Sequence, residues 1–405
     1  MLTVIYHWID RNILELGREL RLSYLPPLMV YIAAGVSGLT GIVGTFFVKE
    51  YLGLSAEFLA ALGFWAGIPW ALKMPLGHLV DLIWRWKGIL VFIGAGLIAC
   101  SLAIMIGLIG HTGMMREILP VEAWFVISTL LSPVGYVIQD VVADAMTVEA
   151  VPVVDAEGRP FGDDIRKLMH TTMQTLGRVA IISGTVLVAL VNLYMFSDVE
   201  TLPQAAKAGI YQAIYTMALV IPVISVMGVG FASILRVRDS RRLLGKGFSH
   251  AQVHEMMAVH AEAPEPNWWI LGGSLVFVVF TISIGLSDIP YNQEIIFFGS
   301  MSIILFLMSR LVRELEPHAR NTLVGTAIVI FVFRAVPGPG AGSTWWMIDD
   351  LGFDQHFLSI LSLIGGTLTL FGMFIFRRFM AERSIAYVVG FLTIASTLLS
   401  LPRLG

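Results

Sequence analysis

The chain has 405 residues, of which 57% are hydrophobic and only 14% charged. Soluble globular chains carry about 25% charged residues, so polar side chains are too few to cover a water-facing surface; a soluble enzyme and a disordered chain are excluded, and a polytopic membrane protein is indicated. A net charge of −3 leaves no basic footprint for nucleic acid, and the single cysteine, Cys100, excludes an internal disulfide framework. From the N-terminus, Leu2, Ile5, Ile9, Ile13, Leu16 and Leu20 recur at helical spacing, with Asp10, Glu15, Arg18 and Glu19 between them. Residues 1–23 therefore fit an amphipathic helix lying on the membrane or on the bundle, and equally a plain leader into the first span.

A spanning helix needs about 20 mainly apolar residues. Eleven stretches qualify: 24–48, 56–80, 88–110, 121–144, 171–196, 211–235, 268–287, 290–309, 321–345, 355–376 and 384–401. Backbone polar groups cannot stay unpaired in lipid, so these are helices, and none shows the alternation of a membrane barrel. With the N-terminus in the cytoplasm of a multi-pass inner-membrane protein, nineteen basic residues fall on the cytoplasmic side and only Lys49, Arg116, Lys207 and Arg403 on the other. That bias sets the orientation. Lys73, Arg178 and Arg334 remain inside spans. The longest loops, 147–170 and 236–266, are both cytoplasmic. The second holds His250, His254, Glu255 and His260, but the spacing is not His-Glu-x-x-His and Pro264 and Pro266 follow, so a solvated loop helix is expected rather than a metal site.

Shifted by 299 residues, from 46 to 345, the chain resembles itself: FFVKEYLGLSAEFLAAL (46–62) lies over WWMIDDLGFDQHFLSIL (345–361). Each copy follows a Gly-rich helix, and both begin on the cytoplasmic side. The repeats are thus parallel, related by an axis along the membrane normal, as in the two halves of the major facilitator fold. The expected layout is an N-terminal segment (1–23), a six-helix half (24–235), a cytoplasmic linker (236–266), an extra transmembrane hairpin (267–310) and the first three helices of a second half (321–405). Six helices are expected there, so either the end is missing or the repeat is misassigned.

Between the second and third spans, Gly77, Asp81, Arg85 and Lys87 form a degenerate version of the major facilitator loop signature. Gly77 permits close helix approach, and Asp81 can pair with cations or a helix terminus as the halves rock; an ordinary basic loop is the plainer alternative. IPWALKMPLGHLVDL (68–82), QDVVADAMTVEAV (139–151) and the segment 333–366 resemble folate–biopterin transporters over roughly 24–235 and 321–401. Where that family has Lys-Pro, this chain has Lys73-Met74-Pro75, and the 268–309 hairpin is not part of the pattern. The resemblance implies secondary transport of folates or pterins, coupled to protons.

The residues themselves carry a reading beside that resemblance. Asp140 and Asp144 are four apart and share a helix face. An ionisable group inside a span is costly unless paired. Asp144 and Arg178 both lie about 10 Å from the same side, counted along their helices. They can form a proton-exchanging carboxylate with an arginine that alternates between it and substrate, or a static salt bridge. Arg334 sits about 20 Å deep, near the midplane, with PGPG (337–340) just after it to break the helix. A cation beside a broken helix suits an anionic substrate; pairing with a buried acid is the alternative. Lys73 is close enough to Asp81 to snorkel. Trp65, Trp70, Trp345 and Trp346 either stack a pterin ring or belong to interfacial belts, and Tyr136 and Gln139 offer hydrogen bonds to a polar heterocycle.

The expectation is a proton-coupled symporter for a small organic anion, with Arg334, Arg178, Tyr136, Gln139 and Trp70 on substrate and Asp140 or Asp144 carrying the proton. Lys73, Gly77, Asp81 and Arg85 would gate. The alternative is a non-transporting scaffold or pigment-complex assembly factor on the same fold. No ATP-binding loop, nucleophile elbow or zinc signature occurs, so no cofactor, no metal and no enzymatic activity are called for; substrate, protons and lipid are the expected partners.

Overall fold

The computed structural model describes residues 14–155, 157–257, 265–287, 289–313, 315–335, 338 and 340–400. Of the positions singled out above, Leu2, Ile5, Ile9, Asp10, Ile13, His260, Pro264, Pro337, Pro339 and Arg403 lie outside them. Nine helical segments among the described residues are long and apolar enough to cross a membrane: Leu22–Leu52, Ala56–Leu82, Trp84–Gly110, Val121–Ala150, Asp163–Met195, Ala206–Gly245, Trp268–Gly285, Asn292–Arg313 and Gln355–Arg377. The protein is an all-helical, multi-pass membrane protein; an isolated bridge between Val154 and Pro160 is the β pairing among the described residues.

Two of the eleven expected spans differ. The stretch 384–401 forms the helix Ile385–Ser400, whose 16 residues fall short of the hydrocarbon thickness. The stretch 321–345 is divided between the helices Pro317–Ala335 and Ala341–Asp349, and neither is among the nine. The two long loops are also shorter than expected. Helices run to Ala150 and from Asp163, and another continues to Gly245, carrying Arg236, Arg238, Arg241 and Arg242 beyond the apolar stretch. His250 and His254 stand on the helix His250–Met257.

The long helices are labelled in chain order: α1 Leu25–Val36, α2 Gly41–Phe47, α3 Ala56–Ala71, α4 Lys73–Leu82, α5 Lys87–Gly110, α6 Val121–Ala150, α7 Asp163–Met195, α8 Gln204–Ala218, α9 Val220–Gly245, α10 Trp268–Gly285, α11 Asn292–Arg313, α12 Pro317–Ala335, α13 Ala341–Asp349, α14 Gln355–Glu382 and α15 Ile385–Ser400. They fall into two compact units, Met1–Pro264 with Gly340–Phe374, and Glu265–Pro339 with Ile375–Gly405.

In the first unit, two spans are broken where the sequence demands it. Between α1 and α2 the chain tightens into a 3-10 turn, Ser37–Thr40. Between α3 and α4 the break falls at Leu72. Pro69 and Pro75 flank it and have no N–H to donate, so the ladder cannot run through. Small residues let the helices cross closely, as lipid gives no hydrophobic drive between them. A Cβ on Gly94 of α5 would lie 2.7 Å from the Gly135 carbonyl oxygen of α6, and a Cβ on Gly184 of α7 only 2.8 Å from Gly35 Cα of α1. Near the first crossing, Ser101 and Ser128 exchange hydrogen bonds, each hydroxyl donating to the other's carbonyl at 2.8 and 2.9 Å. The described part of the N-terminal segment docks on this unit: Leu16 is buried, and Thr172 donates to Glu19 at 2.6 Å.

The repeated segments share a turn. Gly53 (φ 62°) and Gly352 (φ 69°), aligned by the shift of 299, both take the left-handed conformation that glycine accepts without strain. The Ser55 hydroxyl accepts from Phe58 N at 3.1 Å, and the aligned Asp354 carboxylate accepts from Phe357 N at 2.7 Å. The copies also touch: Lys49 pairs with Asp349 and lies over the Trp345 ring; Gln355 of the second copy donates to the Tyr211 hydroxyl of α8 at 2.7 Å.

In the second unit, α10 and α11 form the expected hairpin. Asn267 caps α10, accepting from Trp269 N and Ile270 N at 3.1 and 3.3 Å. Arg310 lies 4.7 Å from the Trp269 ring, and α12 packs against α15.

Candidate functional site

A cavity of about 350 Å³ opens inside the first unit, walled by α1, α3, α4, α6 and α7. The break at Leu72 makes Lys73 the first residue of α4, and its side chain turns inward rather than toward the headgroups. The Lys73 ammonium bonds Asp140 Oδ2 at 2.5 Å and Asp144 Oδ2 at 2.9 Å. Tyr31 of α1 donates its hydroxyl to Asp144 Oδ1 at 2.6 Å. The two carboxylates, one turn apart on α6, thus share a single ammonium. Asp140 is the more enclosed, with 15% of its side chain exposed against 47% for Asp144.

Arg178 lines the same cavity from α7 with Gln174 and Gly177. It was expected to pair with Asp144; instead Lys73 holds that carboxylate, and Arg178 makes no hydrogen bond or ion pair among the described residues. A guanidinium facing an open cavity without a protein anion offers its N–H fork to a carboxylate from elsewhere. Trp70 and Tyr136 complete the wall.

Gln139 belongs elsewhere. Its amide donates to the Val91 carbonyl at 3.3 Å and accepts from Ser225 at 3.0 Å, tying α6 to α5 and α9 away from the cavity. One residue from Asp140, it is turned by about 100° of helix. Arg334 is the penultimate residue of α12 in the second unit, exposed and without an ion pair among the described residues.

Of the loop residues, Gly77 meets nothing that a Cβ would touch, so no close helix approach occurs there. Asp81 is half-buried and Arg85 exposed. The organised charge at this end of the bundle lies on other residues. Lys87, 7% exposed, donates to Glu149 at 2.6 Å; Arg236 of α9 reaches the same carboxylate oxygen at 2.8 Å. Lys87 also sits 4.0 Å from the Trp84 ring. One carboxylate thereby ties α5, α6 and α9.

Sequence reasoning missed Tyr31, a lone polar residue in the apolar helix α1 with no local signal, and Gln174, one of several polar residues between His170 and Arg178 and not distinguished from them by spacing. It also missed a pattern that was available. Ser128, Ser132, Tyr136, Asp140 and Asp144 follow one another at four-residue steps along α6, a polar stripe advancing about 6 Å per step and winding slowly around the helix.

No protein-family model and no solved structure matches the chain. A curated folate-biopterin transporter of Synechocystis sp. is 21% identical over 395 residues, which cover 96% of this chain and 61% of that protein. The chain therefore spans about three-fifths of the length of this relative.

Proposed function

We propose that this chain is a secondary transporter carrying a small organic anion of folate or pterin type across a membrane by alternating access, with a proton as the coupled ion. The observation that carries the reading is the charged cavity, where Arg178 stands unpaired opposite two carboxylates that share Lys73. The distant likeness to a folate-biopterin transporter supports the substrate class. The shared turn of the two repeated segments supports parallel halves of major facilitator type, and the basic bias of the sequence supports a cytoplasmic N-terminus in an inner membrane.

The roles follow from the charges. Arg178 holds the substrate carboxylate in a bidentate clamp. Asp140 and Asp144 exchange the proton. With both ionised, Lys73 is held by two anions and α4 is fastened to α6. A proton on either removes one of those attractions and frees α4 to shift. Proton and substrate are then linked: each changes the affinity for the other by the same factor.

The test is uptake of labelled folate into proteoliposomes under an inward proton gradient. Arg178→Ala should abolish uptake while the protein still purifies folded. Wild-type uptake by the Arg178 variant refutes the clamp. Absent flux with a stably co-purifying partner protein selects a scaffold instead.

A further inference from the structure

A second cavity, of about 220 Å³, adjoins the charged one and shares Ser37 and Tyr136 with it as walls. The two together fall within the roughly 300–1,000 Å³ of small-molecule sites. Their linings differ in kind. The second has no charged side chain; hydroxyls and the rings of Phe125, Tyr136 and Tyr215 surround it.

The hydroxyls are not all accounted for by the fold. Ser101 and Ser128 satisfy one another, whereas those of Thr40, Thr129, Ser132 and Tyr215 make no hydrogen bond among the described residues. Tyr215 is only 6% exposed. Four hydroxyls that face one space and meet no protein partner are free to bond an occupant, so the chamber suits a guest with donors and acceptors of its own. Aromatic walls favour a flat occupant. The absence of charge favours a neutral one, since an unpaired ion there would be poorly solvated.

We infer that this chamber is the ring subsite of the transported anion: it takes an uncharged, flat, polar heteroaromatic ring, while the anionic end of the same molecule lies against Arg178. The inference rests on the function proposed above and assigns the two ends of the substrate to two chambers. The stripe along α6 sets the span. Ser132 lies three helical steps from Asp144, about 18 Å along the axis, and two from Asp140, so the substrate is elongated, with its ring and its charge well apart.

Calorimetric titration of the purified full chain with three compounds tests this. Folate carries ring and anion, biopterin the ring without the anion, and p-aminobenzoylglutamate the anion without the ring. Ser132→Ala, Thr129→Val and Tyr215→Phe are made separately, each checked for a wild-type melting temperature. Each should weaken folate and biopterin about five- to tenfold, as loss of one hydrogen bond predicts, and leave p-aminobenzoylglutamate unchanged. Arg178→Ala should do the reverse, weakening the two anions and sparing biopterin. If folate binds the wild type and depends on Arg178 but none of the hydroxyl variants alters ring affinity, the chamber holds only water; the ring subsite falls and the proposed function stands. Equal weakening of biopterin and p-aminobenzoylglutamate by the hydroxyl variants also refutes the assignment of ends. A wild type that binds none of the three overturns both.

Discussion

Replacing Lys73 by Met removes the cation that, among the described residues, pairs with both carboxylates, while keeping the length of the side chain. Asp140 and Asp144 are left facing each other one helical turn apart, Asp140 with 15% of its side chain exposed. Breaking a buried ion pair by deleting one partner costs roughly 3–5 kcal/mol. Lys73 is 42% exposed, and solvent screening reduces what it contributes, so the lower end, about 3 kcal/mol, applies. Unfolding entropy of about 2.1 cal/mol/K per residue over 405 residues converts that to a fall of about 3–4 °C in melting temperature. The reasoning also fixes the rescue. Adding Asp140→Asn removes the more enclosed orphan charge, while Asp144 keeps the Tyr31 hydroxyl. The double variant should therefore recover most of the loss, and the cycle should show a strong non-additive coupling. The assay is thermal unfolding of the purified variants in one detergent at one pH. A Lys73→Met protein melting with the wild type, or a double variant losing the sum of the two single effects, refutes the shared-ammonium account.

Glu149→Gln should cost about 3–5 kcal/mol, because Lys87 is 7% exposed and loses its anion; adding Lys87→Met should restore melting close to wild type, and a stable single variant would sink the argument. Gly184→Val should destabilise by about 1–3 kcal/mol, since its Cβ would lie 2.8 Å from Gly35 Cα, whereas Gly41→Ala, around which nothing lies within 4 Å, should melt as wild type. In the loop between α6 and α7, the backbone N–H groups of Arg159 and Glu157 and the Arg159 guanidinium donate to Asp155 and hold its carboxyl below the usual carboxylate range. The order this gives the loop is present above the ordinary carboxylate pKa and lost as pH falls through the folded value. Amide-exchange protection of residues 157 and 159, corrected for intrinsic rates, should drop in acid, and Asp155→Asn should abolish that dependence.

What the sequence made legible follows from what helical geometry fixes. Rise per residue is constant, so counting placed Asp144 and Arg178 at one depth, and both do line one cavity. Azimuth is a different matter. Whether Arg178 or Lys73 reaches Asp144 depends on how α4 and α7 are rotated and tilted about α6, and that is set by the breaks at Leu72 and the glycine crossings, which involve residues far apart in the chain. Gln139 shows the same limit: adjacency to Asp140 in sequence means a different helix face. The repeat was legible because its signals are local, a glycine needing positive φ and a cap three residues before the phenylalanine it serves. Gly77 misled for the converse reason, since a glycine in a helix shows that close approach is allowed, not that a neighbour is there. The division of the stretch near Ala335 was foreshadowed by the proline run after it, but its two helices were merged because hydropathy alone does not see a broken ladder.

The crossing of Gly35 with Gly184 divides the cavity into a fixed jaw and a moving one. Backbones in contact leave no slack, so Tyr31 of α1 and Arg178 of α7, each within two turns of that crossing, keep a constant separation, and the Gly94–Gly135 contact does the same for α5 and α6. The segment Ala56–Leu82 has no such bolt. Only 11% of its apolar window is buried, against 39% for Trp84–Gly110, and Gly63, Gly67 and Gly77 along it meet open space. Among the cavity walls, α3 and α4, which carry Trp70 and Lys73, are the ones with no such glycine crossing along them. The residue that clasps the two carboxylates is mounted on the most loosely packed wall, so an outward shift of that wall and release of the ion pair would be a single mechanical event.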